Sequence, residues 1–176
     1  MHTKAKKLAK LLANNWRLHD KKKYLQIEVN STKLLNELEY PKNIKVSSKL
    51  ISNLFVMADN AEREKNTKKR LQKYNLLIEV ADKIDKLLDR KLNSRYEIKW
   101  WIILREKGYF FAAPYIFIDQ LKKFGKIHII SAIIATTLLV DSGKAHDHND
   151  WRKVEGLLEV YWNIIIKKKA KKFLEF

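Results

Sequence analysis

The densest group of residues able to do chemistry in this chain is His146-Asp147-His148-Asn149-Asp150. Two imidazoles one residue apart, beside two carboxylates, are donor types that hold a divalent metal. A metal site draws ligands from at least two segments, and no partner motif stands elsewhere in the chain. The stretch therefore reads as a polar loop in which Asp147, Asn149 or Asp150 caps the helix that follows, and no metal is expected. His19-Asp20 is a second such pair, set in a basic segment without further ligands. The acid pairs Glu37/Glu39 and Asp82/Asp85 fall on surface helices.

Other chemistries lack their residues. There is no Cys, so thiolate catalysis, disulfides and Cys-ligated zinc are excluded. The isolated Gly108, Gly125, Gly143 and Gly156 build no phosphate loop. No nucleophile elbow presents a serine, and no Arg is followed at the fifth position by His. The stretch Leu138-Leu139-Val140-Asp141-Ser142-Gly143-Lys144 resembles, over seven residues, the Leu-Leu-His-Asp-x-Gly-Lys segment of HD-type phosphohydrolases, an all-α family. Val140 stands where that family has its metal-binding His, so the resemblance implies no metal-dependent hydrolase. The chain is expected to be no enzyme and to need no cofactor.

Charge is the stronger signal. The 176 residues carry 37 Lys and Arg against 20 Asp and Glu, a net +17. Three segments hold almost all of the excess. Lys4, Lys6, Lys7, Lys10, Arg17, Lys21, Lys22 and Lys23 face only Asp20 within residues 1–23, a net +7. Arg63, Lys65, Lys68, Lys69, Arg70 and Lys73 face Glu64, a net +5. Lys167, Lys168, Lys169, Lys171 and Lys172 face Glu175, a net +4. The remainder is nearly neutral. Concentrated cations on a balanced body suit a polyanion better than they suit solubility alone. Arg supplies only 7 of the 37 positives. Lysine is a point charge suited to phosphate, so backbone contact with little base reading is expected. Trp16 and Tyr74, beside these clusters, fall on apolar stripes and read as core, not as stacking platforms.

The elements that must position these charges are mainly helical. Residues 1–23 form a basic amphipathic N-terminal segment: Thr3 can cap it, and Ala5, Leu8, Leu12 and Trp16 recur at helical spacing. Residues 24–176 form a single helical domain. Leu25, Ile27 and Val29 alternate with polar residues, as do Ile44 and Val46, which predicts a small two-stranded β element near 25–29 and 44–46 across a short helix at 31–39. Ser47 or Ser48 caps the next helix, and Asn66-Thr67 opens a long one. Ser94-Arg95-Tyr96-Glu97 reads as a capping box, and Gly108 as a helix stop. Pro114 suits the first turn of a helix. Residues 95–107 and 127–142 are apolar almost all round and should form a central pair. The expectation is a mainly α fold of about seven helices around that pair.

With 46% hydrophobic residues a sizeable core is available. The longest uncharged run, Ile127–Val140, is too short to span a bilayer. The expected function is nucleic-acid binding through the phosphate backbone, within a homo- or hetero-oligomeric nucleoprotein assembly. A small subunit of an RNA-guided effector complex or a DNA-wrapping viral coat protein would have this class, charge and size. The expected location is cytoplasmic, or within such a particle. Two alternatives use the same charges: an inhibitor or adaptor of an acidic protein, and a membrane-surface protein resting on the first helix. The membrane reading is the weaker.

Overall fold

The first helix starts where Thr3 Oγ1 accepts the Lys6 backbone N–H at 3.3 Å, which satisfies one donor that a helix start leaves free. The structure is a computed structural model that describes residues 3–40, 42–89, 94–124 and 128–172, with side chains as far as Lys167. Over these residues it contains eight helices and no strand: α1 (Lys4–Asp20), α2 (Tyr24–Glu37), α3 (Ile44–Glu62), α4 (Thr67–Leu87), α5 (Ser94–Lys107), α6 (Tyr109–Phe124), α7 (Ile129–Asp147) and α8 (Trp151–Lys172). Asn66 caps α4 by accepting from the Lys69 N–H at 3.0 Å. Asp150 opens α8 in the same way, accepting from the Lys153 N–H at 3.1 Å. Gly108, at φ +83°, closes α5 in the left-handed region that favours glycine.

Each helix packs on the one before and the one after it, and α8 returns to pack on α1. Neighbours run antiparallel. Lys4, at the start of α1, pairs with Glu39 just beyond the end of α2. Asn43 Nδ2 donates to the Leu87 carbonyl at 2.8 Å, joining the start of α3 to the end of α4. Arg17, near the end of α1, reaches Glu155 at the start of α8 at 3.2 Å. The closing seam joins Ala9 and Ala13 to Ala145, Val154 and Leu158, with Trp16, Trp151 and Trp162 packed against it. Small residues on α1 admit the larger side chains opposite.

No single central core forms. Buried apolar residues gather in four local clusters, each shared by three consecutive helices or by α7, α8 and α1. The expected central pair is therefore overturned. No residue of α5 is fully buried, and α7 buries one face, Ala132, Ala135, Ser142 and Ala145. An all-apolar helix in this arrangement is covered on its inner side only.

The expected β element is also overturned: 25–29 lies in α2 and 44–46 opens α3. The alternation was misleading because only Ile27 of its three apolar residues is buried, while Leu25 is 82% exposed. The buried face of α2 is Ile27, Asn30, Ser31 and Leu35, a helical period written half in polar letters. In α3 the buried face opens with Ser47, Ser48 and Ser52. Ser48 is thus no cap; its hydroxyl donates to the Ile44 carbonyl one turn back at 2.8 Å. Pro114 lies inside α6 rather than in its first turn, and α7 continues through Gly143, which abuts the Tyr109 ring. Ser94 and Glu97 also make longer-range bonds: Ser94 donates twice to Asp85, and Glu97 pairs with Lys123.

Several buried polar side chains are matched across helices, although the Ser47 hydroxyl has no hydrogen-bond partner among the described residues. Asn30 Nδ2 donates to Asn15 Oδ1 at 2.8 Å, and Asn15 Nδ2 to Ser31 Oγ at 3.1 Å, which locks α1 to α2. Between α5, α6 and α8, Lys123 meets Asp119 at 3.0 Å and also pairs with Glu97. Gln120 bonds Asp119 at 3.0 Å and accepts from the Tyr161 hydroxyl at 3.2 Å. Burial by itself would lower the Lys123 pKa; the facing Glu97, Tyr161 and Asp119 more than offset this and raise it, so the ammonium stays charged. Removing it leaves Asp119 buried without its cation. Lys123→Ala is expected to cost about 3–5 kcal/mol in urea denaturation. Lys123→Met with Asp119→Leu should recover most of that loss; a double variant no more stable than the single one would contradict this account.

Candidate nucleic-acid interface

The up-and-down order gives the bundle two ends. One end, here the upper, carries the α1–α2, α3–α4, α5–α6 and α7–α8 turns. Two of the three basic segments meet there. The α1–α2 turn carries Lys21, Lys22 and Lys23, all exposed; the α3–α4 turn and the start of α4 carry Arg63, Lys65, Lys68 and Lys69, also exposed.

Asp59, near the end of α3, holds the two turns together. It accepts from His19 Nε2 at 2.7 Å and from the Tyr24 hydroxyl, and Arg63 Nη2 stands 3.7 Å away. The His19 ring also packs on Phe55 of α3, with centroids 4.8 Å apart. Ser52 Oγ donates to the Tyr24 carbonyl at 2.6 Å, which fixes the start of α2 against α3. Burial would raise the Asp59 pKa, but the Tyr24 and His19 hydrogen bonds and the nearby cations hold it below the usual carboxylate range. The carboxylate is thereby consumed inside the scaffold and does not neutralise the lysines around it.

The other predicted residues divide by their partners. Arg70 binds Glu106 at 3.0 Å and Lys73 binds Glu64 at 2.9 Å, so both are spent within the fold. Arg17 pairs with Glu155 and lies over the Trp151 ring at 4.7 Å. Lys4 and Lys7 pair with Glu39 and Glu37 at the lower end. Lys6 and Lys10 lie on α1 away from the upper turns. Lys167 is exposed toward the lower end of α8. The side chains of Lys168, Lys169, Lys171 and Lys172 lie outside the described residues. Among the described residues, Lys21, Lys22, Lys23, Lys65, Lys68 and Lys69 have no carboxylate within ion-pair distance.

Two local features sharpen the potential at these turns. The first turn of α4 carries Lys68 and Lys69 and no acid. Cations at a helix N-terminus add to the positive end of the dipole, at a cost of about 0.3–1 kcal/mol each. An arriving anion reverses the sign of that term. Lys22 adopts φ +54°, a left-handed conformation at a cation.

The same end carries Lys107, Lys144, Arg152 and Lys153, all exposed, which the charge clusters did not mark. Their signal is the parity of the turns, visible only once the helices are counted. The His146 loop joins the scaffold too. His146 Nε2 meets Asp20 at 3.0 Å and Nδ1 meets Asp147 at 3.5 Å, with Trp16 and Trp151 edge-on to the imidazole. Among the described residues no three metal-ligating side chains converge, and no helix is long and apolar enough to cross a membrane.

Because the Asp59 pKa is lowered on folding, its stabilising share is present above the unfolded carboxylate value of about 4 and is lost as pH falls through the folded value. Asp59→Asn is expected to destabilise by about 1–3 kcal/mol at pH 7 and to flatten the acid limb of stability against pH. Parallel acid limbs for the two proteins, measured by urea denaturation from pH 7 to pH 3, would refute the role given to Asp59.

Comparison with protein-family models, with curated proteins and with solved structures finds no match to this chain.

Proposed function

We propose that the chain is a non-enzymatic helical protein that holds the phosphate backbone of a nucleic acid, with little sequence specificity, as a structural subunit of a larger nucleoprotein assembly. A small subunit of an RNA-guided effector complex and a DNA-wrapping viral coat protein are the two assemblies whose class, charge and size it fits. The observation that carries this reading is the meeting of two basic turns at one end of the bundle, with six lysines there free of carboxylate partners. Phosphates recur along a nucleic-acid strand, so a cluster of flexible point charges can engage several at once without reading bases. The lysine-rich balance, 30 of 37 cations, supports phosphate contact over base-edge recognition.

Binding to mixed-sequence DNA and RNA is expected to weaken by about 10³-fold or more between 50 and 200 mM salt. Lys65→Gln, Lys68→Gln and Lys69→Gln together should lower the slope of log affinity against log salt by about 2–3. Lys4→Gln, already paired with Glu39, should change it little. Fluorescence anisotropy at varied salt reads all three, and no binding at low salt would overturn the proposal.

A further inference from the structure

Two consecutive helices carry apolar residues on both of their faces. On α6, Phe111, Tyr115 and Ile118 are spaced i, i+4, i+7 on the side away from the buried Ile116 and Gln120. On α7, Ile130, Ile133 and Ile134 lie opposite the buried Ala132 and Ala135. Their exposures run from 42% for Ile118 to 75% for Ile130, and Phe110, at the start of α6, is 85% exposed. A helix that is apolar all round belongs in an interior, and this chain covers only one side of each. Lys122 is the one exposed charged residue between Phe110 and Thr137 among the described residues.

We propose that the outer face of the α6–α7 hairpin is the interface between two copies of this chain. Three observations select a second copy. Together Phe111, Tyr115, Ile118, Ile130, Ile133 and Ile134 offer roughly 700 Å² of exposed surface. That exceeds the ~300–600 Å² of the largest patch on a typical monomer and approaches the ~800 Å² that each partner gives to a stable complex. Among the described residues the one exposed charge on this face is Lys122, whose ammonium lies over the Tyr96 ring at 4.2 Å, in a chain of net +17, so two copies meet there with little cation against cation. In the helix order, α6 and α7 stand four places from α2 and α3, so a twofold pair of hairpins forms a four-helix layer and leaves both copies' α1–α2 and α3–α4 turns uncovered. The proposal does not depend on the nucleic-acid reading, and its test uses nuclease-treated protein.

Sedimentation equilibrium from about 1 to 100 μM is expected to show a dimer of the 20.9 kDa chain. Ile133→Glu should weaken it by about 30-fold or more with an unchanged far-UV circular dichroism spectrum. Leu25→Glu, at an exposed apolar residue of α2, should leave it intact. Because the chain has no Cys, Ile133→Cys gives a second measurement that needs no charge in the face: a short bismaleimide should link the copies, whereas Leu25→Cys should not link. A wild-type monomer throughout the range would overturn the proposal. So would a dimer indifferent to Ile133→Glu, an unlinked Ile133→Cys, or monomers that float with neutral phospholipid vesicles, which would assign the face to a membrane.

Discussion

The contact between α1 and α8 turns a row of helices into a closed bundle. Every other extended helix contact joins sequence neighbours, so each is set by a short turn and costs little chain entropy to form. The α1–α8 seam must instead bring together residues such as Ala9 and Leu158 across almost the whole chain. Closure entropy grows only slowly with loop length, and the buried apolar surface of the seam works against it. Small residues on α1 and large ones on α8 make that surface complementary. Arg17, bonded to Glu155 and stacked on Trp151, fastens its upper end.

Closure also determines where charge can gather. In an up-and-down bundle, alternate turns share an end. The first and third turns hold the basic residues 21–23 and 63–69, so they meet; Lys167, late in α8, lies toward the other end. Asp59 completes this arrangement from within. It spends a carboxylate on His19 and Tyr24, tying the two turns together while leaving their lysines unneutralised.

Much of this was legible in the residues. The stripe of α1, the Asn66 cap and the Gly108 stop are where side-chain type predicted them, because they follow local rules. The misreading of α2 and of the start of α3 has one cause: the sequence places small polar residues where apolar ones mark a buried face. Asn30, Ser31, Ser47, Ser48 and Ser52 are buried, so α2 and α3 lost their helical period and left a false alternation at Leu25, Ile27 and Val29. Two strands and a short helix in place of two long helices also hid the parity of the turns. The convergence of the basic segments therefore could not be foreseen, although their residues were in view. The central placement expected for 95–107 and 127–142 failed differently. Apolar composition records that a surface is to be covered, but not which chain covers it.

The left-handed backbone at Lys22 sets a local cost into the upper turn. Such a conformation costs an L-residue with a Cβ roughly 1–2 kcal/mol that glycine escapes. Among the described residues Gly108, Glu39, Asn43, Asp89 and Asn149 also adopt positive φ, and Lys22 is the one cation that does. The α1–α2 turn thus carries three consecutive cations through a conformation that glycine would adopt at less cost.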